Sequence, residues 1–253
     1  MTAKTAKTTK TAKTAKTAKL IIAHRGVPVY AWENTLESFE KAIELGADAI
    51  EFDVRRTQDG FYVAHHDETI EGQLLRQLTY RQLNQIALNR GFRVPTVAEI
   101  LKMAQGRIRL DVELKEAGYE CEIAELLLQF GSTNDFIITS FHDRVVKSLK
   151  QHYPDFQVGL LLGVKVSSNW TAIATRLSEL FPGNRVTQCQ ADFIAPHYHL
   201  LKFGFLSRAQ KANKPVFVWT VNDDARLKKY LNDDRIAGAI TDRCDRALAL
   251  RQS

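Results

Sequence analysis

Hydrophobic and polar residues follow two distinct patterns along most of the chain. Short runs rich in Ile, Val, Leu and Phe are typical of buried strands, whereas apolar residues three or four positions apart indicate amphipathic helices. Residues 35–45 illustrate the helical pattern. Leu36, Phe39 and Ile43 fall on one face there, and the stretch ends before a glycine, as helices commonly do. The two patterns follow one another regularly, which predicts alternating strands and helices.

The alternation predicts eight strands with helical stretches between them. Strands are expected at 20–24, 48–54, 108–114, 135–139, 156–162, 191–195, 215–219 and 237–241. Helices are expected at 35–45, 97–105, 119–130, 143–152, 169–180, 200–212, 223–231 and 243–251. Eight such units over about 230 residues predict an α/β fold, the TIM (β/α)8 barrel. A doubly wound open sheet is the alternative, but eight units close more naturally into a barrel. Moreover, Gly26 stands alone where a dinucleotide-binding fold needs a glycine-rich loop.

One predicted unit is longer than the others. About 50 residues, at roughly 55–107, separate the second and third strands, where other units need about 20–25. This segment contains an Asp59-Gly60 turn, a short strand at 61–64 and two helical pieces. We therefore expect one barrel domain at 20–253 with a small insertion after strand 2. The insertion would lie on the carboxyl-terminal face, where barrels of this type build their active sites.

The net charge of +6 has a local origin. Residues 1–19 repeat Thr-Ala-Lys and contain six lysines and no acidic residue, so we expect a flexible tail there. Without these lysines the chain has 29 basic and 29 acidic residues. The tail could attach weakly to anionic surfaces, although a solvated tail is the simpler interpretation. A neutral body gives no general basic surface for nucleic acid, so no nucleic-acid partner is expected.

The cysteines and the lengths of the apolar runs indicate the cellular compartment in which the protein is expected. The three cysteines, Cys121, Cys189 and Cys244, are far apart and form no CxxC motif, which favours free thiols in a reducing compartment. No apolar run approaches the roughly 20 residues that span a bilayer, and Leu20-Ile21-Ile22-Ala23 is too short for a signal peptide. We expect a cytoplasmic protein without stable membrane insertion.

Two carboxylates lie inside the second predicted strand. Glu51 and Asp53 are two residues apart, so both point to the same face of a strand that otherwise has a buried composition. Buried charges of one sign are costly unless a cation meets them. Glu113, on the third strand, completes a set of three oxygen ligands suited to one divalent cation, Mg²⁺ or Ca²⁺. Asp111 shares the face of Glu113, which leaves open which of these acids binds the metal.

Other polar residues follow the ends of the predicted strands and would converge at the barrel mouth. Arg25 and Lys115 supply positive charge for an anionic group such as phosphate. His24 and His66 come from different loops and can flank that group. Histidine, with an unperturbed pKa of about 6.5, suits acid–base catalysis at neutral pH. Together with a metal, these residues indicate cleavage of a phosphodiester, and Trp219 is a candidate for stacking on the substrate.

The order of these motifs resembles the glycerophosphodiester phosphodiesterases. The matching motifs are His-Arg-Gly at 24–26, Glu-Asn-Thr at 33–35, Glu-x-Asp at 51–53, His-Asp at 66–67 and Glu-x-Lys at 113–115. The resemblance implies a TIM barrel, a divalent metal, and hydrolysis of glycerophosphodiesters to sn-glycerol 3-phosphate and an alcohol. It also implies a role in glycerophospholipid breakdown. The segment after the His-Asp motif, at 68–72, departs from the family pattern, which bears on the choice of alcohol.

The resemblance also assigns roles residue by residue. It implies metal ligands (Glu51, Asp53 and Glu113), an acid–base pair (His24 and His66) and phosphate contacts (Arg25 and Lys115). By analogy His24 is the base and His66 the proton donor. The nucleophile is water or the substrate's own 2-hydroxyl group.

Some neighbouring residues have simpler structural interpretations. Asn34 is interpreted as the cap of the first helix and Asp242 as the cap of the last one, while His65 is expected to pack or to lie at the surface. Three alternative functions differ in class: a lysophospholipase D on the same fold, a barrel that binds phosphodiesters without cleaving them, and a nucleic-acid binder driven by the tail. Because every chemical component of a hydrolase is present and the body is neutral, the last two are disfavoured.

Overall fold

A computed structural model describes residues 18–163 and 170–252, so most of the predicted tail lies outside the described residues. The strands are β1 Leu20–His24, β2 Ala49–Arg56, β3 Tyr62–Ala64, β4 Thr69–Ile70, β5 Gln73–Leu74, β6 Arg109–Leu114, β7 Phe136–Ser140, β8 Gln157–Leu162, β9 Phe193–Pro196, β10 Phe217–Val218 and β11 Gly238–Thr241. The helices are α1 Leu36–Leu45, α2 Tyr80–Asn89, α3 Val97–Ala104, α4 Glu120–Leu128, α5 Asp143–His152, α6 Trp170–Leu180, α7 Gly183–Cys189, α8 Phe205–Lys211, α9 Asp224–Leu231 and α10 Cys244–Gln252. Short 3₁₀ turns lie at Leu75–Gln77, Thr133–Asp135 and Tyr198–Leu200.

Eight of these strands form one parallel sheet in the order β10-β11-β1-β2-β6-β7-β8-β9. The two ends of this order meet through parallel bridges, Ile194 with Val216 and His197 with Trp219. The sheet is therefore a nearly closed barrel surrounded by helices, which confirms the predicted TIM barrel. The doubly wound open sheet is excluded, because its edge strands would not return to each other.

Inward-facing side chains change character along the strands. Ile22 and Ala49 belong to the apolar filling near the amino ends. Two residues further on, the same inward face presents His24 and Glu51, which are paired across β1 and β2. The apolar filling consists of Ile22, Ala49, Ile137, Leu161, Phe193, Ala195, Phe217 and Ile240. The barrel thus has a packed floor and carries its polar chemistry at the carboxyl ends of the strands.

The segment after β2 forms a small unit on the barrel mouth. β3 pairs antiparallel with the end of β2, and the backbone N–H of His65 donates to the Asp53 carbonyl at 3.0 Å. β4 and β5 form a tight hairpin whose turn residues, Glu71 and Gly72, both have positive φ. The unit has its own apolar core, formed by Val63, Ile70, Leu75, Leu78, Leu83, Ala87 and Val94. It holds His66 above the end of β2.

Two helical predictions differ from the structure. The stretch predicted as one helix at 200–212 is a 3₁₀ turn followed by α8, because Phe203 and Gly204 take left-handed φ values of 49° and 73°. α7 was not predicted. Only Val186 and Cys189 are buried along it, so its sequence lacks a clear helical repeat of apolar residues.

In the described part of the chain, no helix combines the length and apolar character needed to cross a membrane.

Candidate active site

Three carboxylates meet at the carboxyl end of β2 and β6. The parallel register places Asp53 beside Glu113, and Glu51 lies two residues earlier on the same face of β2. One oxygen of each of Glu51, Asp53 and Glu113 lies within 4.8 Å of the others, and all three side chains are buried. The three predicted metal ligands are therefore brought together.

The state of these carboxylates fits a divalent cation. Burial raises the pKa of Glu51 well above its usual value, and repulsion from Asp53 and Glu113 raises it further. Burial also raises the pKa of Glu113. The Oε1 atom of Glu51 is buried without a hydrogen-bond partner. A bound cation would relieve both the repulsion and the unpaired oxygen, and three carboxylates are the oxygen ligands that Mg²⁺ or Ca²⁺ prefers.

Asp111, the fourth acid on this face, lies outside the cluster of three. The hydroxyl of Thr139 donates to its Oδ1 atom at 3.0 Å. Burial raises the pKa of Asp111 to about 7. Its Oδ1 atom thus already has a hydroxyl partner, and its position outside the cluster separates Asp111 from the predicted ligands.

Arg25 and Lys115 lie against the acidic cluster. The Nζ atom of Lys115 is 2.9 Å from Asp53 Oδ1 and 2.6 Å from Glu113 Oε1. Arg25 Nε is 3.1 Å from Asp53 Oδ2, and the Arg25 backbone N–H donates to Glu51 at 2.9 Å. Burial alone would raise the pKa of Asp53, but Lys115 and Arg25 outweigh it and lower this pKa. Both cations line the same cavity as Glu51 and Glu113, where an anionic group would reach them.

The Glu-Asn-Thr motif supports these residues, although not as predicted. The interpretation of Asn34 as a helix cap is wrong, because the Thr35 hydroxyl accepts from the Ser38 N–H and caps α1. Asn34 is instead buried with a φ of 56°. Its amide donates to Asp53 Oδ2 at 2.8 Å, and its carbonyl accepts from the Asp53 N–H at 3.2 Å. Asn34 therefore fixes the orientation of a predicted metal ligand.

The turn at Arg25 explains the glycine that follows it. Arg25 and Gly26 have φ values of 53° and 82°. A side chain at Gly26 would overlap Ser38, whose Oγ atom would lie 2.3 Å from the added carbon. That Oγ atom also accepts from the Val27 N–H at 2.6 Å. The tight turn, together with the bond from Arg25 to both oxygens of Glu33 at 3.0 Å, aims the guanidinium at the acidic cluster.

His24 is held at the end of β1 by Asp242, which was predicted to cap the last helix. Its Nδ1 atom lies 2.6 Å from Asp242 Oδ1, and its Nε2 atom is 3.9 Å from Glu51 Oε2. The interpretation of Asp242 as a helix cap is wrong, since its carboxylate accepts from His24 and from Asn222. Because an ionised carboxylate can only accept, Nδ1 carries a proton and Nε2 is the ring nitrogen that faces the acidic cluster.

His66 approaches the same cavity from the insertion. Its Nδ1 atom is 2.8 Å from Asp67 Oδ1, so its Nε2 atom is also left for the substrate. Burial lowers the pKa of His66, and the positive charges of Lys115 and Arg25 contribute to the same shift. His65 is half-buried, and its Nδ1 atom donates to the Asp67 carbonyl at 2.9 Å, which agrees with a packing role.

The cavity at the barrel mouth brings these parts together, with a volume of about 1310 Å³. Both histidines, both predicted phosphate contacts and Trp219 line it. The indole N–H of Trp219 donates to the Ala195 carbonyl at 2.7 Å. Its ring packs edge-on against Phe141 and His197, with centroid distances of 5.6 Å and 4.9 Å. The indole is therefore fixed and offers apolar surface to the cavity.

Comparisons with known proteins identify relatives of this chain. The model of the glycerophosphoryl diester phosphodiesterase family matches residues 24–246. A glycerophosphodiester phosphodiesterase of Caldanaerobacter subterraneus is 26% identical over 242 residues, which cover 88% of this chain and 93% of that protein.

Solved structures show the same architecture. A glycerophosphodiester phosphodiesterase from Parabacteroides distasonis aligns with a TM-score of 0.77 at 24% identity, covering 93% of this chain and 97% of that one. A phosphodiesterase from Oleispira antarctica, solved in complex with the product sn-glycerol-3-phosphate, aligns with a TM-score of 0.78 at 22% identity and covers 93% and 98%. At these identities the likeness shows the shared fold.

Proposed function

The chain belongs to the glycerophosphoryl diester phosphodiesterase family, and from this premise we propose that it hydrolyses glycerophosphodiesters to sn-glycerol 3-phosphate and an alcohol. The observation that carries the proposal is one cavity, lined by two histidines and two cations, that opens onto the cluster of three carboxylates. The product complex of the Oleispira antarctica relative supports the same choice of product.

We propose that Glu51, Asp53 and Glu113 hold one divalent cation, Mg²⁺ or Ca²⁺. Bound there, the ion would polarise a phosphate oxygen and offset the negative charge that builds up in the transition state. The protein keeps the ligands in place from outside the cluster. Asn34 orients Asp53, and the Arg25 N–H orients Glu51.

The side chains around the acids would perform the remaining chemistry. Arg25 and Lys115 bind the phosphate oxygens, since they lie beside the acids and face the cavity. His24, held by Asp242, removes a proton from the nucleophile through Nε2. His66 protonates the leaving alkoxide. Its lowered pKa makes the protonated ring a stronger acid, and a bound phosphate would favour that protonated form.

The test is an assay of glycerophosphoglycerol turnover with and without EDTA, in which sn-glycerol 3-phosphate is detected by an NAD-linked dehydrogenase. We expect glycerol 3-phosphate to form, the reaction to stop with EDTA, and Mg²⁺ or Ca²⁺ to restore it. No turnover in the presence of either metal would overturn the proposal, as would full turnover after exhaustive chelation.

A second candidate, a lysophospholipase D activity, is favoured by one observation. Phe203 is 76% exposed at the rim of the cavity, with Leu180 and Leu200 beside it on the lining. Exposed apolar residues at a cavity mouth can receive an acyl chain. Turnover of lysophosphatidylcholine above that of glycerophosphocholine would favour this candidate.

We propose a cytoplasmic role in glycerophospholipid breakdown. Cys121, Cys189 and Cys244 are all free, and the last two are buried, which is typical of proteins from reducing compartments.

Replacing Asp242 with Asn should lower kcat by roughly 10–100-fold, with a smaller change in KM. Asparagine has one carbonyl oxygen where the carboxylate accepts from both His24 and Asn222, and it removes the negative charge beside the His24 ring, while the metal ligands and phosphate contacts stay in place. Steady-state kinetics of D242N and of the exposed control D155N would measure this effect. Equal kcat values in the two variants would show that Asp242 has no positioning role.

A further inference from the structure

The cavity extends beyond the two histidines, the acidic cluster and the predicted phosphate contacts. Beyond Trp219 it continues over a region that we call the distal half, lined by Arg176, Leu180, His197, His199, Lys202 and Phe203. These residues lie on α6 and on the segment between β9 and α8. The ring of His197 contacts Trp219 at a centroid distance of 4.9 Å, so the distal half adjoins the proposed substrate site directly.

The distal half presents basic side chains to the cavity. Among the described residues, no carboxylate lines this half of the cavity, and the lining acids Glu51, Glu68 and Glu113 lie on the opposite side, on β2, β6 and the insertion. Lys202 is exposed, and in the described part of the chain no carboxylate lies within ion-pair distance of its ammonium group. Its charge is therefore available to a ligand in the cavity.

Arg176 places a second basic side chain on the cavity wall, as one member of an ion pair. Its Nη1 atom donates to Glu179 at 2.8 Å, and Glu179 is buried and also accepts from the Gly163 N–H at 2.7 Å. The pair holds the guanidinium on the cavity wall. Burial lowers the pKa of His197, with His199 and Arg176 acting in the same direction and Glu179 opposing them.

We propose that the distal half binds the leaving alcohol and selects alcohols that carry their own anionic group, a phosphate or a carboxylate. The inference rests on the proposed function, in which the phosphodiester lies between the acidic cluster, Arg25 and Lys115. The alcohol then extends past Trp219 towards Arg176 and Lys202. An anionic group would meet both cations there, whereas the quaternary ammonium of a choline would be repelled by them.

A kinetic comparison of three diesters in the presence of Mg²⁺ tests the proposal. Glycerophosphoglycerol has a neutral alcohol, and its distal phosphate monoester has an anionic one. Glycerophosphoserine carries a carboxylate beside an amine, so comparing it with the monoester distinguishes a carboxylate from a phosphate as the group that is recognised. We expect kcat/KM for the phosphate monoester to exceed that for glycerophosphoglycerol by about tenfold, since one charge contact of about 1.4 kcal/mol gives this factor. Added salt should reduce the ratio.

Two variants locate the effect. Lys202→Gln should lower this ratio by roughly three- to tenfold, since it removes one exposed charge from the distal half. Lys211→Gln removes the same charge from α8, outside the cavity lining, and should leave the ratio and the activity unchanged. Equal ratios in K202Q and wild type, or a preference of wild type for glycerophosphocholine over the phosphate monoester, would overturn the proposal.

Binding measurements separate this proposal from the proposed function. If no diester is hydrolysed, the proposed function fails. Equilibrium binding of the same diesters to wild type and K202Q would still show whether the distal half selects anionic alcohols. Tighter binding of the phosphate monoester that is lost in K202Q would support it. Equal binding of the neutral and anionic diesters to wild type would reject it.

Discussion

Replacing His66 with Ala should lower kcat by about 10²–10⁴-fold, the usual contribution of a positioned acid or base. The ring lies in the cavity with Nδ1 held by Asp67, so that Nε2 is the atom that would reach the leaving oxygen. Metal affinity should be preserved, because His66 lies outside the cluster of three carboxylates. Steady-state kinetics with glycerophosphoglycerol and metal titration of the variant measure the two quantities.

The choice of leaving group distinguishes the two histidines. A p-nitrophenyl diester departs as a phenolate that needs no proton, so H66A should recover most of its lost rate with this substrate. H24A should not recover, since a base is still required. His152, exposed on α5 with its Nδ1 atom bonded to the Ser148 carbonyl, offers a matched surface control. If H66A turns over glycerophosphoglycerol as fast as H152A, His66 is not the acid.

The fold was largely predictable because the alternation of apolar and polar residues that determines its strands and helices is a local pattern in the sequence. Inward positions of a strand repeat every second residue, so the spacing of Glu51 and Asp53 alone placed both on one face. The parallel barrel then fixed the partner of Asp53, because β6 follows β2 in the sheet and sets Glu113 opposite it. Periodicity cannot show where a predicted helix is broken, and the left-handed Phe203 and Gly204 separate a 3₁₀ turn from α8 within one predicted helix.

Residues that orient the site were harder to predict, because their partners are remote in sequence. His24 and Asp242 are 218 positions apart, and the bond between them depends on closure of the barrel between β1 and β11. Asn34 precedes a helix, where its residue type is typical of a cap, and only its left-handed backbone turns the amide towards Asp53. In both cases local propensity favoured a capping role and tertiary structure supplied another.

Replacing Glu51 with Gln should weaken Mg²⁺ binding by more than about 100-fold. Mutating even a residue that only hydrogen-bonds to a metal ligand weakens metal binding by roughly 10–100-fold. Activity at a fixed Mg²⁺ concentration should fall accordingly. Asp111→Asn is the matched control. It removes a buried carboxyl from the same barrel face, but Asp111 lies outside the cluster of three, and an asparagine carbonyl can still accept from Thr139.

Thermal unfolding gives a measurement that does not depend on activity. In the metal-free protein, ionisation of Glu51 is opposed by burial and by Asp53 and Glu113, so its pKa is raised in the folded state. A raised carboxyl pKa means that stability is lost as pH rises through that pKa, because the unfolded chain releases this proton at a lower pH than the folded protein does. Added Mg²⁺ should therefore raise the Tm of wild type and of D111N, with a larger gain at higher pH.

The Tm of E51Q should respond much less to Mg²⁺, since this variant has lost both the charge and one ligand oxygen. An equal Mg²⁺ response in E51Q and D111N would show that the ion binds elsewhere.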